Sequence, residues 1–317
     1  MNNPFPYSDT NKRYHTWDYH LKHKFGGKVF KVPLDGGFSC PNIDGTRGRG
    51  GCTYCRYTFA RQTPDSLLRQ FETHKAALHQ KWPQALYIPY FQANTNTYAP
   101  VEELRAKYET VLDQPGVVGL AIATRPDALP SDVLDYLQQL GERTYLTVEL
   151  GLQSAFDDTA QRIHRGHTWQ EFLEGYEALR RRNIPVCVHI INGLPGENRS
   201  RMVETVRRLA ELEPHSLKIH LLHILRGTAM EAEYLRGEVQ PLTLMEYAET
   251  VCDQLEVLPP QCILQRVTGD GLKEELVAPL WSLRKFVVMN EIDKELVRRD
   301  SWQGKYQRAE SPASLLR

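Results

Sequence analysis

The sequence lacks the features that mark membrane and secreted proteins. No run of about eighteen apolar residues occurs in it, and residues 1–17 contain no apolar core of the kind a signal peptide needs. The chain also lacks an excess of charge of either sign, because 39 Lys and Arg residues balance 39 Asp and Glu residues. No overall charge therefore draws the chain to nucleic acid or to a lipid surface. We expect a cytoplasmic protein with no membrane partner, in which any anionic ligand is held by a local basic patch.

Cysteine is scarce, yet half of it is concentrated in one short stretch. Only six cysteines occur in 317 residues, and Cys40, Cys52 and Cys55 follow one another with the spacing C-x11-C-x2-C. Clustered thiols in a reducing compartment are more often metal ligands or catalysts than disulfides. Three thiolates can hold three irons of a 4Fe-4S cluster and leave the fourth iron open to a ligand. Two alternatives remain: a zinc site completed by His23 or His74, and three unrelated buried thiols.

The residues around the triplet carry a family resemblance. With LDGGFSCPN at its start and GGCTYC at its end, the loop resembles that of a radical S-adenosylmethionine (SAM) enzyme. It is similar to the branch related to the catalytic subunit of elongator, not to the branch with a C-x3-C-x2-C loop. Within that branch it resembles a compact bacterial family of the Gram-positive type, over about Tyr14 to Gly271. The resemblance implies a 4Fe-4S cluster on the three cysteines, bound SAM, and an external electron donor such as flavodoxin or ferredoxin.

Short apolar runs that alternate with amphipathic stretches predict an α/β fold, a partial (β/α)6 barrel of the radical-SAM type. The predicted strands are 28–35, 85–92, 117–124, 144–151, 185–192 and 216–224. The predicted helices between them are 66–80, 101–113, 131–140, 169–182 and 199–212. We divide the chain into a basic and aromatic N-terminal extension (1–27), the barrel (28–225) and an α-rich closing segment (226–317). Loops that follow parallel strands lie on one face, so we expect the site there.

Several residues at predicted strand ends are candidates for the site. Lys218 and His220 alternate on the sixth strand and should both point into the barrel, as catalytic groups or as a structural pair. Glu149 lies near the end of an apolar strand, where a lone carboxylate is costly unless it is bonded. The resemblance implies that SAM is contacted by nine residues in all: Tyr54, Gln92, Asn94, Asn96, Glu149, Gln153, Ser154, Arg165 and Gly193. The Gly-Gly-Glu signature usual after the second strand is absent, since the chain has FQANTNTY there.

The identity of the substrate follows from the resemblance alone. Relatives in the elongator-like branch act on the wobble uridine of tRNA, and the compact type is linked to processing of 5-carboxymethylaminomethyl to 5-aminomethyl side chains. A basic N-terminal segment and Arg180 to Arg182 are the candidate RNA contacts, but an amphipathic helix with solvated lysines and a helix end with favourable charge are the preferred explanations. Three hypotheses stay open: a tRNA-modifying radical enzyme, a radical enzyme on a small molecule or protein, and a non-catalytic zinc-stabilised RNA-binding module.

Overall fold

The computed structural model describes residues 5, 9–57, 62–269, 271 and 273–307. Parts of the predicted N-terminal extension and of the closing segment, at 1–4, 6–8 and 308–317, lie outside the described residues. Within the described ranges, none of the helices is both long enough and apolar enough to cross a membrane.

A seven-stranded parallel sheet forms the centre of the molecule, in the spatial order β1-β2-β3-β4-β5-β6-β8. Its strands are β1 Val29–Leu34, β2 Leu86–Phe91, β3 Gly119–Thr124, β4 Tyr145–Gln153, β5 Val186–Asn192, β6 Ser216–Leu221 and β8 Ile263–Arg266. The short strands β7 Ile224–Leu225 and β9 Leu276–Ala278 pair separately as an antiparallel ribbon. The sheet confirms the predicted α/β partial barrel, and β8 adds a seventh strand from the closing segment to the six predicted βα units.

Helices connect the strands and cover the outside of the curled sheet. They are α1 Trp17–Phe25, α2 Pro64–Lys81, α3 Val101–Leu112, α4 Ser131–Arg143, α5 Asp157–Arg162, α6 Trp169–Arg180, α7 Arg199–Ala210, α8 Ala229–Leu235, α9 Leu244–Val257 and α10 Lys285–Arg298. A 3-10 turn spans Leu280–Leu283. Threonines fix several helix starts: Thr63, Thr168 and Thr243 each form a capping box that satisfies two backbone donors.

The sheet is open between its two edge strands, β1 and β8. The segment before α1 borders this gap, because the Leu264 amide donates to the His15 carbonyl at 2.8 Å. All strands of the sheet run parallel, so their carboxyl ends meet on one face. The cysteine loop leaves β1 on that face, which places it over the interior of the half-barrel.

Candidate active site

The three clustered cysteines line a single cavity of about 400 Å³. Cys40 and Cys52 are buried and Cys55 is half-buried. Asn42 connects the loop to the segment after α5: its Nδ2 lies 3.5 Å from the Cys52 sulfur and donates to the His164 carbonyl at 2.6 Å. The fold therefore brings all three thiols to one space, as a shared metal group requires.

Glycine is required at one point of the loop for the cysteines to meet. Gly51 adopts a φ of +74°, and a Cβ added there would lie 1.9 Å from the Tyr57 hydroxyl oxygen. That hydroxyl accepts a hydrogen bond of 2.7 Å from the Cys52 amide. A left-handed backbone that passes this close to an aromatic ring leaves room only for glycine.

Arg165 reaches the cysteines from the chain after α5. One guanidinium nitrogen lies 3.7 Å from the Cys52 sulfur, and another donates to the Gly151 carbonyl at the end of β4. Arg125 supports it by donating to the Arg165 carbonyl at 2.7 Å. Arg125 itself is held by two 2.8 Å bonds to Asp127, and both side chains are buried. Arg125 is thus fixed by its carboxylate partner, and Arg165 is the arginine that faces the thiols.

The environment of the thiols favours a thiolate at Cys52. A hydrogen bond from Cys55 lowers the pKa of the Cys52 thiol well below its ordinary value, burial opposes the shift, and the Arg165 charge adds to it. The same hydrogen bond, together with burial, raises the pKa of Cys55. Thiolates are the form that binds iron. The zinc site considered from the sequence takes His23 or His74 as its fourth ligand, yet His23 bonds to the Tyr19 carbonyl on α1 and His74 borders a separate depression beside α2. The donor set thus fits a three-cysteine cluster better than zinc.

A second polar group lies in the same cavity, around the fully buried Glu149 of β4. One carboxylate oxygen accepts from the Lys31 ammonium of β1, and the other accepts from Lys218 of β6 and from His189 of β5 at 2.7 Å. The Tyr90 hydroxyl of β2 accepts from Lys218 at 2.9 Å. We call Lys31, Tyr90, Glu149, His189 and Lys218 the barrel cluster.

Charge in the barrel cluster is unevenly divided. Burial raises the cost of ionising Glu149, but Lys218, Lys31 and His189 together hold the pKa of its carboxyl well below the usual range. Burial lowers the pKa of Lys218 to about 8 and that of His189 to about 4, so His189 is neutral at pH 7. Two lysines therefore share one fully buried carboxylate, and such unbalanced charge is costly to bury.

A metal ion is not the natural occupant of the barrel cluster. Glu149, Cys187 and His189 each offer a donor atom, and these atoms lie within 4.8 Å of one another. Both carboxylate oxygens, however, already accept from lysine ammonium groups, which repel a cation. The arrangement is therefore suited to an anion.

The structure brings most of the predicted site residues into one cavity. Besides the three cysteines, its lining includes Tyr54, Gln92, Asn94, Glu149, Gln153, Arg165, Lys218 and His220. Lys218 and His220 share a face of β6, as their alternation predicts. Three of the predicted residues are not part of this lining: Asn96 donates to the Phe91 and Ala123 carbonyls, Ser154 donates to Glu197, and Gly193 packs against Leu242. The individual roles assigned to these residues stay predictions.

The lining and cluster residues that sequence reasoning missed include the polar or charged side chains of Lys31, Tyr90, His189 and Arg266. A signal existed for His189, which is a polar side chain inside the apolar run VCVHIIN of β5. Lys31 lies in the predicted strand 28–35. Nothing local to β1 indicates that its ammonium turns inward, since its partners come from β4 and from Gln265 of β8.

The basic surface segments are largely paired within the chain. On and beside α1, Lys22 bonds to Asp9 and Lys28 to Asp18. At the end of α6, Arg180 donates to the Leu212 carbonyl and Arg182 to Asp135. These contacts match the structural interpretation of both segments and leave the RNA-contact interpretation a prediction.

Comparison with known proteins places the chain among radical enzymes. A family model described as the radical SAM superfamily matches residues 43–209, and one described as the radical SAM C-terminal domain matches residues 214–298. The chain is 53% identical to the protein YtqA of Bacillus subtilis over 99% of both chains. It is 26% identical to a tRNA uridine(34) acetyltransferase of Methanocaldococcus infernus over 48% of this chain and 29% of that protein. The solved structure of Elp3 from the same archaeon, with its first residues deleted, superposes with a TM-score of 0.64 at 17% identity, covering 87% of this chain and 64% of that one.

Proposed function

Because this chain belongs to the radical SAM superfamily and is an enzyme that uses a 4Fe-4S cluster and SAM, we propose that it modifies the wobble uridine of tRNA. The proposed reaction converts a 5-carboxymethylaminomethyl side chain to 5-aminomethyl. The bond between the amino nitrogen and the carboxymethyl carbon would break, and with SAM as the oxidant and water as the source of oxygen the carboxymethyl group would leave as glyoxylate. The observation that carries the radical chemistry is the meeting of Cys40, Cys52 and Cys55 in one cavity with Arg165 and the barrel cluster. A cavity of about 400 Å³ that opens on the loop face suits a cofactor and the end of a substrate side chain.

The bound cluster and SAM supply a 5′-deoxyadenosyl radical that abstracts a hydrogen atom, and the chain supplies binding and orientation. Arg165 offers a fixed cation beside Cys52 for the negative charge of the ligand set or of the cofactor carboxylate. Tyr54 lines the same cavity as the thiols, and we propose that its ring helps to exclude water from them. Water exclusion protects a reactive radical from side reactions.

Support for tRNA as substrate comes from the relatives. A protein named tRNA uridine(34) acetyltransferase shares 26% identity with nearly half of this chain. Acetyl transfer is not proposed here, since the comparison covers only 29% of that protein. The electron donor we propose is a small external protein such as flavodoxin or ferredoxin.

A radical enzyme that acts on a small molecule or a protein is the second candidate. The balance of 39 basic and 39 acidic residues favours it, because proteins that bind RNA usually carry an excess of positive charge. This candidate predicts an unchanged tRNA profile and no binding that weakens with salt.

Iron content and cofactor cleavage test the radical chemistry. Anaerobically reconstituted protein should contain about four irons and four sulfides per chain and should release 5′-deoxyadenosine from SAM with dithionite. Cys52→Ala should lose both, whereas the matched control Cys262→Ala should keep them, since Cys262 is buried elsewhere in the core. Cofactor cleavage by Cys52→Ala would contradict the proposal.

Nucleoside analysis tests the substrate. In tRNA from a strain that lacks this protein, we expect 5-carboxymethylaminomethyluridine to accumulate at the wobble position and its 5-aminomethyl product to vanish. Expression of the wild-type chain, but not of Cys52→Ala, should restore the product. An unchanged wobble profile would contradict the tRNA assignment and leave the second candidate.

A further inference from the structure

The gap between the edge strands β1 and β8 opens into the barrel. A cavity of about 740 Å³ lies there, bordered by Trp17 on α1 and by residues of both edge strands. It shares lining residues with the cavity of the cysteines, namely Tyr90, Gln92, Lys218 and Arg266. A group that enters through this gap therefore passes the barrel cluster before it reaches the thiols.

Two ammonium groups of the barrel cluster converge on one point. Lys31 and Lys218 both bond to Glu149, and their nitrogens lie 4.9 Å and 4.2 Å from the centre of the Tyr90 ring. Lys31 also bonds to Gln265 of β8 and so spans the gap between the edge strands. Lys218 and Arg266 line both cavities, and Lys31 lines the cavity at the gap. The cavity at the gap also has two carboxylates, Asp18 and Glu275, but these pair with Lys28 and Arg56. Glu149 is the one carboxylate of the barrel cluster.

An unfilled bonding position lies beside these cations. The Nε2 atom of His220 is buried and has no hydrogen-bond partner among the described residues, and its ring lies 5.2 Å from that of His189. A buried polar atom without a partner costs free energy that a ligand recovers when it bonds there. The excess of positive charge calls for an acceptor-rich anion, and His220 donates to that anion in the tautomer that carries its proton on Nε2.

We propose that Lys31 and Lys218, aided by Arg266 and His220, bind the terminal carboxylate of the substrate side chain and so select the substrate. This assignment rests on the proposed function, in which the modified side chain ends in a carboxylate. Glu149 acts as a positioning residue that holds both ammonium groups toward the incoming anion. A backbone phosphodiester is a poorer candidate, because chain on both of its sides prevents it from entering a narrow cavity end-on.

RNA binding by the reconstituted holoenzyme tests the assignment. The probes are three anticodon stem-loops that differ only at the wobble base: one with 5-carboxymethylaminomethyluridine, one with its uncharged carboxamide, and one with unmodified uridine. A hydrogen bond to a charged group corresponds to roughly a ten- to hundredfold change in dissociation constant. Wild-type enzyme should therefore bind the carboxylate probe roughly ten- to hundredfold more tightly than the carboxamide probe.

Two variants test whether Lys31 and Lys218 cause the preference for the carboxylate probe. Lys218→Met and Lys31→Met should each weaken binding of the carboxylate probe at least tenfold and that of the carboxamide probe less than threefold, as expected for loss of one charged contact. A misfolded variant would lose affinity for both probes equally, so the ratio of the two dissociation constants separates carboxylate recognition from folding. The Lys31 side chain is 15% exposed and that of Lys218 is 6% exposed, so Lys31→Met disturbs the core less. Lys12→Met is the matched control, because Lys12 is another partly buried lysine paired with a carboxylate, Asp293, away from the cavity. It should keep the wild-type ratio.

The pattern of failure distinguishes this inference from the proposed function. Equal binding of the carboxylate and carboxamide probes, both tighter than unmodified RNA, would overturn the carboxylate site and leave the tRNA substrate in place. Equal binding of all three probes would remove the proposed substrate and the assignment with it. Retention of the wild-type ratio by both lysine variants would also overturn the assignment.

Discussion

Replacing Glu149 with glutamine tests whether the barrel cluster is held by charge. The substitution keeps the shape of the side chain but leaves Lys31 and Lys218 facing each other without a carboxylate, in a place where Glu149 is fully buried. Removing one partner of a buried ion pair costs roughly 3–5 kcal/mol. For a chain of 317 residues, this corresponds to a fall in melting temperature of roughly 4–8 °C at pH 6.

The loss of stability caused by Glu149→Gln should become smaller as the pH rises. The pKa of Lys218 in the folded protein is lowered to about 8, below its unfolded value, so the unfolded chain binds more protons between these two values. Stability then increases with pH in that window. Without Glu149, the attraction that raises the pKa of Lys218 is gone, and its deprotonation by pH 9 relieves the repulsion from Lys31. We therefore expect a clearly smaller difference in melting temperature at pH 9 than at pH 6.

Scanning calorimetry of the reconstituted holoenzyme at both pH values provides the measurement. Glu204→Gln is the matched control, because Glu204 pairs with Arg208 at 3.4 Å and the two side chains are 45% and 36% exposed. An exposed pair contributes at most about 1 kcal/mol, so the control should shift the melting temperature by roughly 1–2 °C or less. A Glu149→Gln shift no larger than that of the control, or one that grows between pH 6 and pH 9, would refute the reasoning.

Two further predictions concern the loop and its support. Gly51→Ala should abolish iron loading, because the new Cβ would meet the Tyr57 hydroxyl at 1.9 Å. Gly50→Ala is the control, because Gly50 also has a positive φ of +76° but open space around it. That variant should load iron and lose only about 1–2 kcal/mol of folding stability. Iron analysis of both compares them directly, and equal loading would contradict the packing argument. Arg125→Lys should lower stability by roughly 2–4 kcal/mol and reduce 5′-deoxyadenosine release, since lysine cannot reproduce the paired bonds to Asp127. Unchanged thermal unfolding would show that this pair is dispensable.

The cysteine loop and the barrel were accessible from the sequence because their signals are local. The spacing of three cysteines within a glycine-rich stretch can be read directly from the sequence. Alternating apolar runs predict strands, and the carboxyl ends of these strands meet on one face of a parallel sheet. The same rule placed Lys218 and His220 on one face of β6, where the cavity lies. Gly193 and Ser154 also lie at strand ends, yet neither lines that cavity, since a strand end fixes the face of the sheet and not the direction of each side chain.

The barrel cluster was decided by the tertiary structure alone. Lys31 and Glu149 are 118 residues apart in the chain, and Glu149 and Lys218 are 69 apart. Their contact depends on the order and register of strands across the sheet, and on the curl that turns β1, β4 and β6 toward one interior. The sequence therefore determined which chemistry the thiols support. The folded sheet determined which charges surround the cavity beside the thiols, because those charges come from strands that are distant in sequence and meet only when the sheet forms.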